Sequence, residues 1–466
     1  MANLTFRYWL CILICTMALL KCAFQNQYVL LHFADTEKYL DYIFRWNHRG
    51  GAFAVGYGFF AYAASAKLSL WLVALWQSII GAMVLSKSTK NALGTEQDWP
   101  VVLVVFTLVL FTSLSRLAST IMPDFFCGII ALGIYNMLMA KTTKGVLLSA
   151  FAVGLLATTH TSLWPILVLL AFTLLPWLFW QKLAIKPKLY SLAPWFFFPI
   201  ILVLVGNLIV GKRIYLSKTS SIMISSRMAQ SGVLEHYLRK NCPRKDISSC
   251  FCEYVGKFTT DGQYLFNMAE SPLYKIKSLD DWQLAWEDPD VHRQLNVMIG
   301  GVLADPTFWP ELAVHMFTGW GKNLVNMVYF ADNEHFPFFE TTLQQLLPAD
   351  VNDYKNSKQA NKAFANVSDY STIDRYLTSV TYSILLLLIV FRLWSQAPNQ
   401  LWIAAGSVVS FILIHAFVCG TFSGAHARYA DRVNWLLVWL CAVFWLDFIK
   451  TKGRPLLTNL QNYLRA

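Results

Sequence analysis

Ten apolar runs dominate this 466-residue chain, at about 8–24, 67–86, 100–113, 125–140, 146–159, 163–181, 192–211, 376–393, 401–420 and 433–449. A helix that crosses the hydrocarbon core of a bilayer needs about 20 mostly apolar residues, and within it each backbone N–H must be bonded inside the segment. The runs therefore predict an α-helical polytopic membrane protein with about ten transmembrane helices. The first run carries Arg7 ahead of its apolar core and lacks a small-x-small cleavage site, so it reads as an uncleaved helix. The apolar stretch 51–66 is too short to span and reads as a helix lying at the interface.

Composition supports this reading. The chain is 56% hydrophobic and 14% charged, against about 25% charged in ordinary soluble domains. That excludes a soluble globular protein and a disordered one. The net charge of +11 is uneven: residues 212–375 hold 17 basic and 19 acidic residues. The remaining body holds 21 basic and 8 acidic. An insert of net −2 thus sits in a membrane body of net +13. This predicts three parts: 1–211 with seven helices and a first external loop at 25–66, a soluble, mainly helical insert at 212–375, and 376–466 with three helices and a tail.

Sidedness follows from the cations, because cytoplasmic loops collect Lys and Arg. With the N-terminus inside, thirteen Lys/Arg fall on the cytoplasmic side and eight outside, the insert excluded. Both termini are then cytoplasmic and the insert is external. Most of the positive charge is topological, so no nucleic-acid partner is expected.

The cations that break this trend lie mainly in short external segments that also carry acids and histidines. These are His32 to Asp41 with Arg45, His48 and Arg49; Ser113 to Asp124; Thr158 to Ser162 around His160; and Ser423 to Arg432, with His426, Arg428 and Tyr429. Five of the eight acids of the membrane body lie there: Asp35, Glu37, Asp41, Asp124 and Asp431. Ionisable groups near hydrocarbon are costly and tend to mark a site or pathway. Carboxylates beside Arg and His suit a base acting on an acceptor while cations hold a phosphate. Each group also has a plainer role: Asp124 at a helix start suits the positive end of the helix dipole, and Arg428 and Arg432 could anchor the membrane surface.

These residues resemble the GT-C glycosyltransferases, polytopic enzymes that use polyprenyl-phosphate-linked sugars and carry an acid in the first external loop. Asp35-Thr-Glu-Lys-Tyr39 with Arg49-Gly-Gly is similar to the Asp-Ser-x-x-Tyr and Arg-x-x-Gly-Tyr-Pro segments of a bacterial branch of GT-C-like proteins. Met122-Pro-Asp124-Phe-Phe is similar to its Met-Pro-Asp-x-Phe segment. Ser423-Gly-Ala-His426-Ala-Arg428-Tyr429-Ala-Asp-Arg432 is similar to its Ser-Gly-Pro-His-Asp-Arg-Tyr-x-x-Arg segment. Ala427 stands where that branch has an acid, and Trp164 where it has a second His after His160. Ser226-Arg227 resembles the start of the branch's soluble region.

The resemblance implies a GT-C-like fold in a bacterial inner membrane, with site and insert facing the periplasm. It implies an inverting transfer of sugar from a polyprenyl-phosphate donor to a glycan, lipid or protein acceptor. Asp35 would be the base or the group that orients the acceptor, Asp124 would support the site from behind or lie on the acceptor side, and Arg428, Arg432, His426, Tyr429, His160 and Arg49 would bind substrate. Two lone carboxylates on different loops are a weak metal signature, so no metal or other cofactor is predicted. The alternatives are an anionic-lipid transporter or flippase using the same arginines, and a non-catalytic subunit in envelope glycan assembly. Nearly uncharged spans argue against the transporter.

In the insert, Cys242 and Cys250 enclose a short stretch, and an oxidising compartment predicts one disulfide. Cys242–Cys250 is expected, with Cys252 the rival partner. The aromatic segment 306–330 reads as membrane-surface, and the polar segment 349–374 as a loop.

Overall fold

The computed structural model describes residues 2–45, 54–180, 192–212, 214–217, 219–244, 246–247, 249–258, 265, 271–275, 288–325, 338–363, 399–424 and 426–453. Among the described residues the chain is helical. Its single β-type contact is one isolated parallel bridge, Leu30 to Thr120. Three helices are long and apolar enough to cross a membrane, at Leu70–Leu93, Gln400–Phe422 and Ala427–Thr451. Shorter apolar helices accompany them. The apolar runs all coincide with helices except 376–393, which lies outside the described residues, as does Arg49.

The helical body begins with α1 (Ala2–Leu19), α2 (Phe33–Phe44), α3 (Val55–Ser65), α4 (Leu70–Leu93) and α5 (Trp99–Phe111). It continues through α6 (Asp124–Met139), α7 (Thr143–Ala157), α8 (Leu163–Trp180) and α9 (Leu192–Gly211). Local chemistry sets the limits. For α4, the Ser69 hydroxyl accepts from Trp71 N, and Gly94 ends the helix in the left-handed region. The short stretch read as an interfacial helix is α3, and it is buried at Val55, Tyr57, Gly58, Ala61 and Ala64 because it packs against α2 and α4.

The insert contributes α10 (Ser220–Gln230), α11 (Val233–Asn241), α12 (Pro289–Ala304), α13 (Trp309–Val325), α14 (Phe338–Leu346) and α15 (Asp350–Asn356). The body closes with α16 (Asn399–Phe422) and α17 (Ala427–Phe448). The insert is not one unit. Residues from Ile222 to Phe308 build their own core, including Val233, Leu234, Leu295 and Met298. Phe339, Leu343, Leu347 and Tyr354 instead join the main core of the body.

Segment 349–374 was expected to be a loop, and its described part is not one. Residues 350–356 are helical, and Asp350 is buried, accepting from Tyr28 Oη and Leu70 N at 2.7 Å each. Gln359 is buried too. Its amide accepts from Leu31 N at 3.0 Å and donates to Leu31 O at 2.6 Å, like a neighbouring strand residue. A polar sequence hid a buried clamp because each polar atom meets a backbone group that would otherwise be unpaired.

The aromatic segment is α13, which lies along α16 rather than standing free. The helices meet at Gly319 and Gly420, where a Cβ on Gly319 would lie 2.4 Å from Gly420 O, so only glycine permits the crossing. Trp320 Nε1 donates to Leu413 O and Asn323 Nδ2 to Ala416 O across the same contact. Val314, Phe317 and Val325 remain exposed on its other side.

The expected disulfide is corrected. Cys242 is bonded to Cys252, with Cα atoms 5.7 Å apart, so it cannot pair with Cys250. The short helix Ser249–Cys252 brings its last residue against the end of α11. We expect Cys250→Ser to leave the cross-link intact by intact-mass thiol counting. Cys252→Ser should remove it and lower the insert's stability by roughly 2–4 kcal/mol. Loss of the cross-link in Cys250→Ser would refute the pairing.

Candidate functional site

Two pins bring the segment that carries Asp35 to the segment that ends in Asp124. Leu30 N donates to Ser119 O and Ile121 N to Leu30 O, both at 2.9 Å. Thr36, in the first turn of α2, donates from Oγ1 to Ile121 O at 3.1 Å and accepts from His32 N at 2.9 Å. With Gln359 holding Leu31 from the other side, the start of α2 is fixed against the start of α6. Asp35 sits in the first turn of α2 and Asp124 is the first residue of α6, where helix dipoles favour carboxylates.

The last motif completes the cluster. Gly424 has φ +121°, a backbone that side chains rarely adopt. It turns the chain into His426, whose extended backbone precedes α17. Arg428 and Arg432 are four residues apart and share one helix face. Arg428 Nη1 donates to Asp35 Oδ2 at 2.6 Å, and its Nε donates to Asp124 Oδ2 at 2.7 Å. Arg432 Nη2 lies 2.8 Å from Asp124 Oδ1, an ion pair by distance that is not aligned as a hydrogen bond. The guanidinium of Arg432 stacks 4.5 Å from the Tyr429 ring centre, and His426 meets Tyr429 edge-on.

Burial grades these groups. Asp124 and Arg432 are buried, Arg428 is 18% exposed and Asp35 is 30% exposed. Arg428 thus bridges an inner carboxylate to an outer one that solvent reaches. Of its five N–H donors two are bound to these acids. On Arg432, Nε and Nη1 are buried and make no hydrogen bond.

His160 lies in the turn between α7 and α8. Its Nδ1 accepts from Ser162 N at 3.2 Å and contacts Ser162 Oγ at 2.8 Å. Burial first, and then the charge of Arg432, lowers its pKa well below the ordinary histidine value. It is therefore a neutral hydrogen-bonding group beside the arginines, not a third cation. Tyr39, one turn after Asp35, is fully buried and packs on Tyr57 at 5.1 Å. Burial, reinforced by the charges of Asp35 and Asp124, pushes its phenol well above the usual range, so it stays protonated.

Asp35, Asp124, Arg428, Arg432 and Tyr429 thus come together, with His160 and His426 at their edges. Sequence reasoning misses two neighbours. His415 is buried in α16, with Cys419 Sγ 3.7 Å from its Nε2. A lone histidine inside an apolar run was its signal. The other is Arg227 of α10, which is buried and donates from Nη2 to Gly420 O at 2.9 Å. Among the described residues no group of three or more His, Cys, Asp or Glu gathers as a metal site.

Compared with family models, curated proteins and solved structures, the chain finds no match among any of them.

Proposed function

We propose that this chain is a GT-C-like glycosyltransferase of about ten spans. It moves a sugar from a polyprenyl-phosphate donor to a glycan, lipid or protein acceptor on the periplasmic face of a bacterial inner membrane. The observation that carries the reading is the bridge Asp35–Arg428–Asp124–Arg432, built from three segments far apart in sequence. A partly exposed carboxylate beside guanidinium donors suits a base next to a phosphate-binding group.

The arrangement suggests how the parts act together. A donor phosphate competes with Asp35 for the Nη donors of Arg428 and leaves the inner bond to Asp124 in place. Relieved of its cation, the Asp35 carboxylate becomes a better base. It takes the proton of the acceptor nucleophile as that atom attacks the anomeric carbon. The bond from that carbon to the phosphate oxygen breaks, and its electron pair leaves with the lipid phosphate, held by Arg428. His426 and Tyr429 line the approach, and neutral His160 offers a hydrogen bond to an uncharged substrate group. No cofactor enters this scheme.

Native mass spectrometry of the detergent-released protein tests the reading. Added decaprenyl phosphate should bind in preference to uncharged decaprenol. Equal binding of the two lipids would overturn it.

A further inference from the structure

Arg227 is a buried cation near the site whose hydrogen bond goes to a backbone carbonyl. It lies on α10, in the insert, and is nine-tenths buried. Its Nη2 donates to Gly420 O, and its Nε is buried with no hydrogen-bond partner. No ion pair engages it among the described residues. Burying an unpaired guanidinium is expensive, and a chain that only needed to hold Gly420 O could do so with a neutral amide.

Its place explains the cost. Gly420 ends the crossing of α13 with α16, four residues before the turn at Gly424. A Cβ built on Gly424 would lie 3.8 Å from Arg227 Nη1 and 3.0 Å from His426 Nε2. Arg227 and His426 therefore flank the same turn, from which Arg428 and Tyr429 follow in the first helical turn of α17. The Tyr429 ring carries the Arg432 guanidinium on a face, 4.5 Å from the ring centre. Arg432 also buries two N–H donors without hydrogen bonds. Buried donors without hydrogen bonds on Arg227 and Arg432, on the two sequence segments that meet at this turn, suit an anion rather than a solvated charged surface.

We propose that Arg227 is an anion-binding residue contributed by the insert, which completes with Arg428 and His426 the seat of the lipid phosphate. The assignment rests on the glycosyltransferase reading for the identity of the anion. It makes the insert part of the site: α10 delivers a cation to the loop that carries the last motif.

Titration of the full chain with decaprenyl phosphate, and with decaprenol as the uncharged comparison, tests it. Arg227→Gln keeps a donor for Gly420 O and removes the charge, so a purely structural strut would bind both lipids as wild type does. The proposal expects Arg227→Gln to lose about 10-fold in affinity for the phosphate lipid and none for the alcohol. If wild type prefers the phosphate and Arg227→Gln is equal to it, Arg227 has no such role and the glycosyltransferase reading stands. If wild type shows no preference, both fall. Should Arg227→Gln fail to fold, Arg227→Lys carries the comparison. It should weaken several-fold for the phosphate lipid alone, since an ammonium lacks the guanidinium fork, and equality with wild type overturns the proposal.

Discussion

Asp35→Asn should reduce glycosyl transfer by roughly 10²–10⁴-fold, the usual worth of a positioned general base, while leaving the folded protein almost unchanged. The amide has the shape of the carboxylate and can still accept from Arg428 Nη1, but it cannot take up the acceptor's proton. Asp35 is 30% exposed, so its pair with Arg428 is screened by water. Losing it should cost no more than about 1 kcal/mol. Transfer of labelled sugar in membranes, normalised to expression, reads the first effect, and thermal unfolding in detergent reads the second. Glu37→Gln is the control. Glu37 lies on the same helix but accepts from Thr342 Oγ1 at 2.9 Å, on the side facing α14, and should keep full transfer. Undiminished transfer by Asp35→Asn would remove Asp35 from the mechanism.

Arg428→Gln should fail differently, through stability as well as activity. It strips a cation from Asp124, a carboxylate only 4% exposed. Breaking a buried ion pair by removing one partner typically costs about 3–5 kcal/mol. Arg432 still holds Asp124 Oδ1, so the lower end, about 3 kcal/mol, is expected. Adding Asp124→Asn should recover part of this loss, because the stranded charge is then gone. A double-mutant cycle over Asp124 and Arg428 should therefore show a coupling of at least about 1 kcal/mol. Additive losses would mean that the 2.7 Å contact carries no energy. Phosphate-lipid binding should be lost in the single and the double variant alike, because the donors that reach solvent belong to Arg428.

The two arginine-to-glutamine variants separate two tasks. Arg428 lies between carboxylates, so its removal leaves an acid uncompensated. Arg227 has no carboxylate partner among the described residues, so its removal relieves a buried charge, and its loss should be felt by the ligand more than by the fold.

What sequence alone determined is what depends on local length and residue type. Twenty-residue apolar runs must be helical in hydrocarbon whatever surrounds them, and every such run within the described residues is a helix. Acids, arginines and histidines in short polar segments had to lie at helix ends, because the adjoining runs cannot bury them unpaired. The grouping of Asp35, Asp124, His160 and Arg428 was legible for that reason. Which atom meets which was not. Asp35 and Arg428 are 393 residues apart, and their contact depends on the bridge at Leu30, the clamp by Gln359 and the turn at Gly424 acting together. Gln359 and Asp350 sit in a polar stretch that carries no burial signal, since their burial rests on backbone partners contributed by distant segments. The choice of Cys252 over Cys250 needed the placement of a four-residue helix against α11. Arg227 became visible as a site residue only when packing removed it from water and gave it no acid among the described residues. Local pattern settles where charge can be tolerated, and tertiary packing decides which charges are left without a counter-charge, because that balance is a sum over neighbours in space.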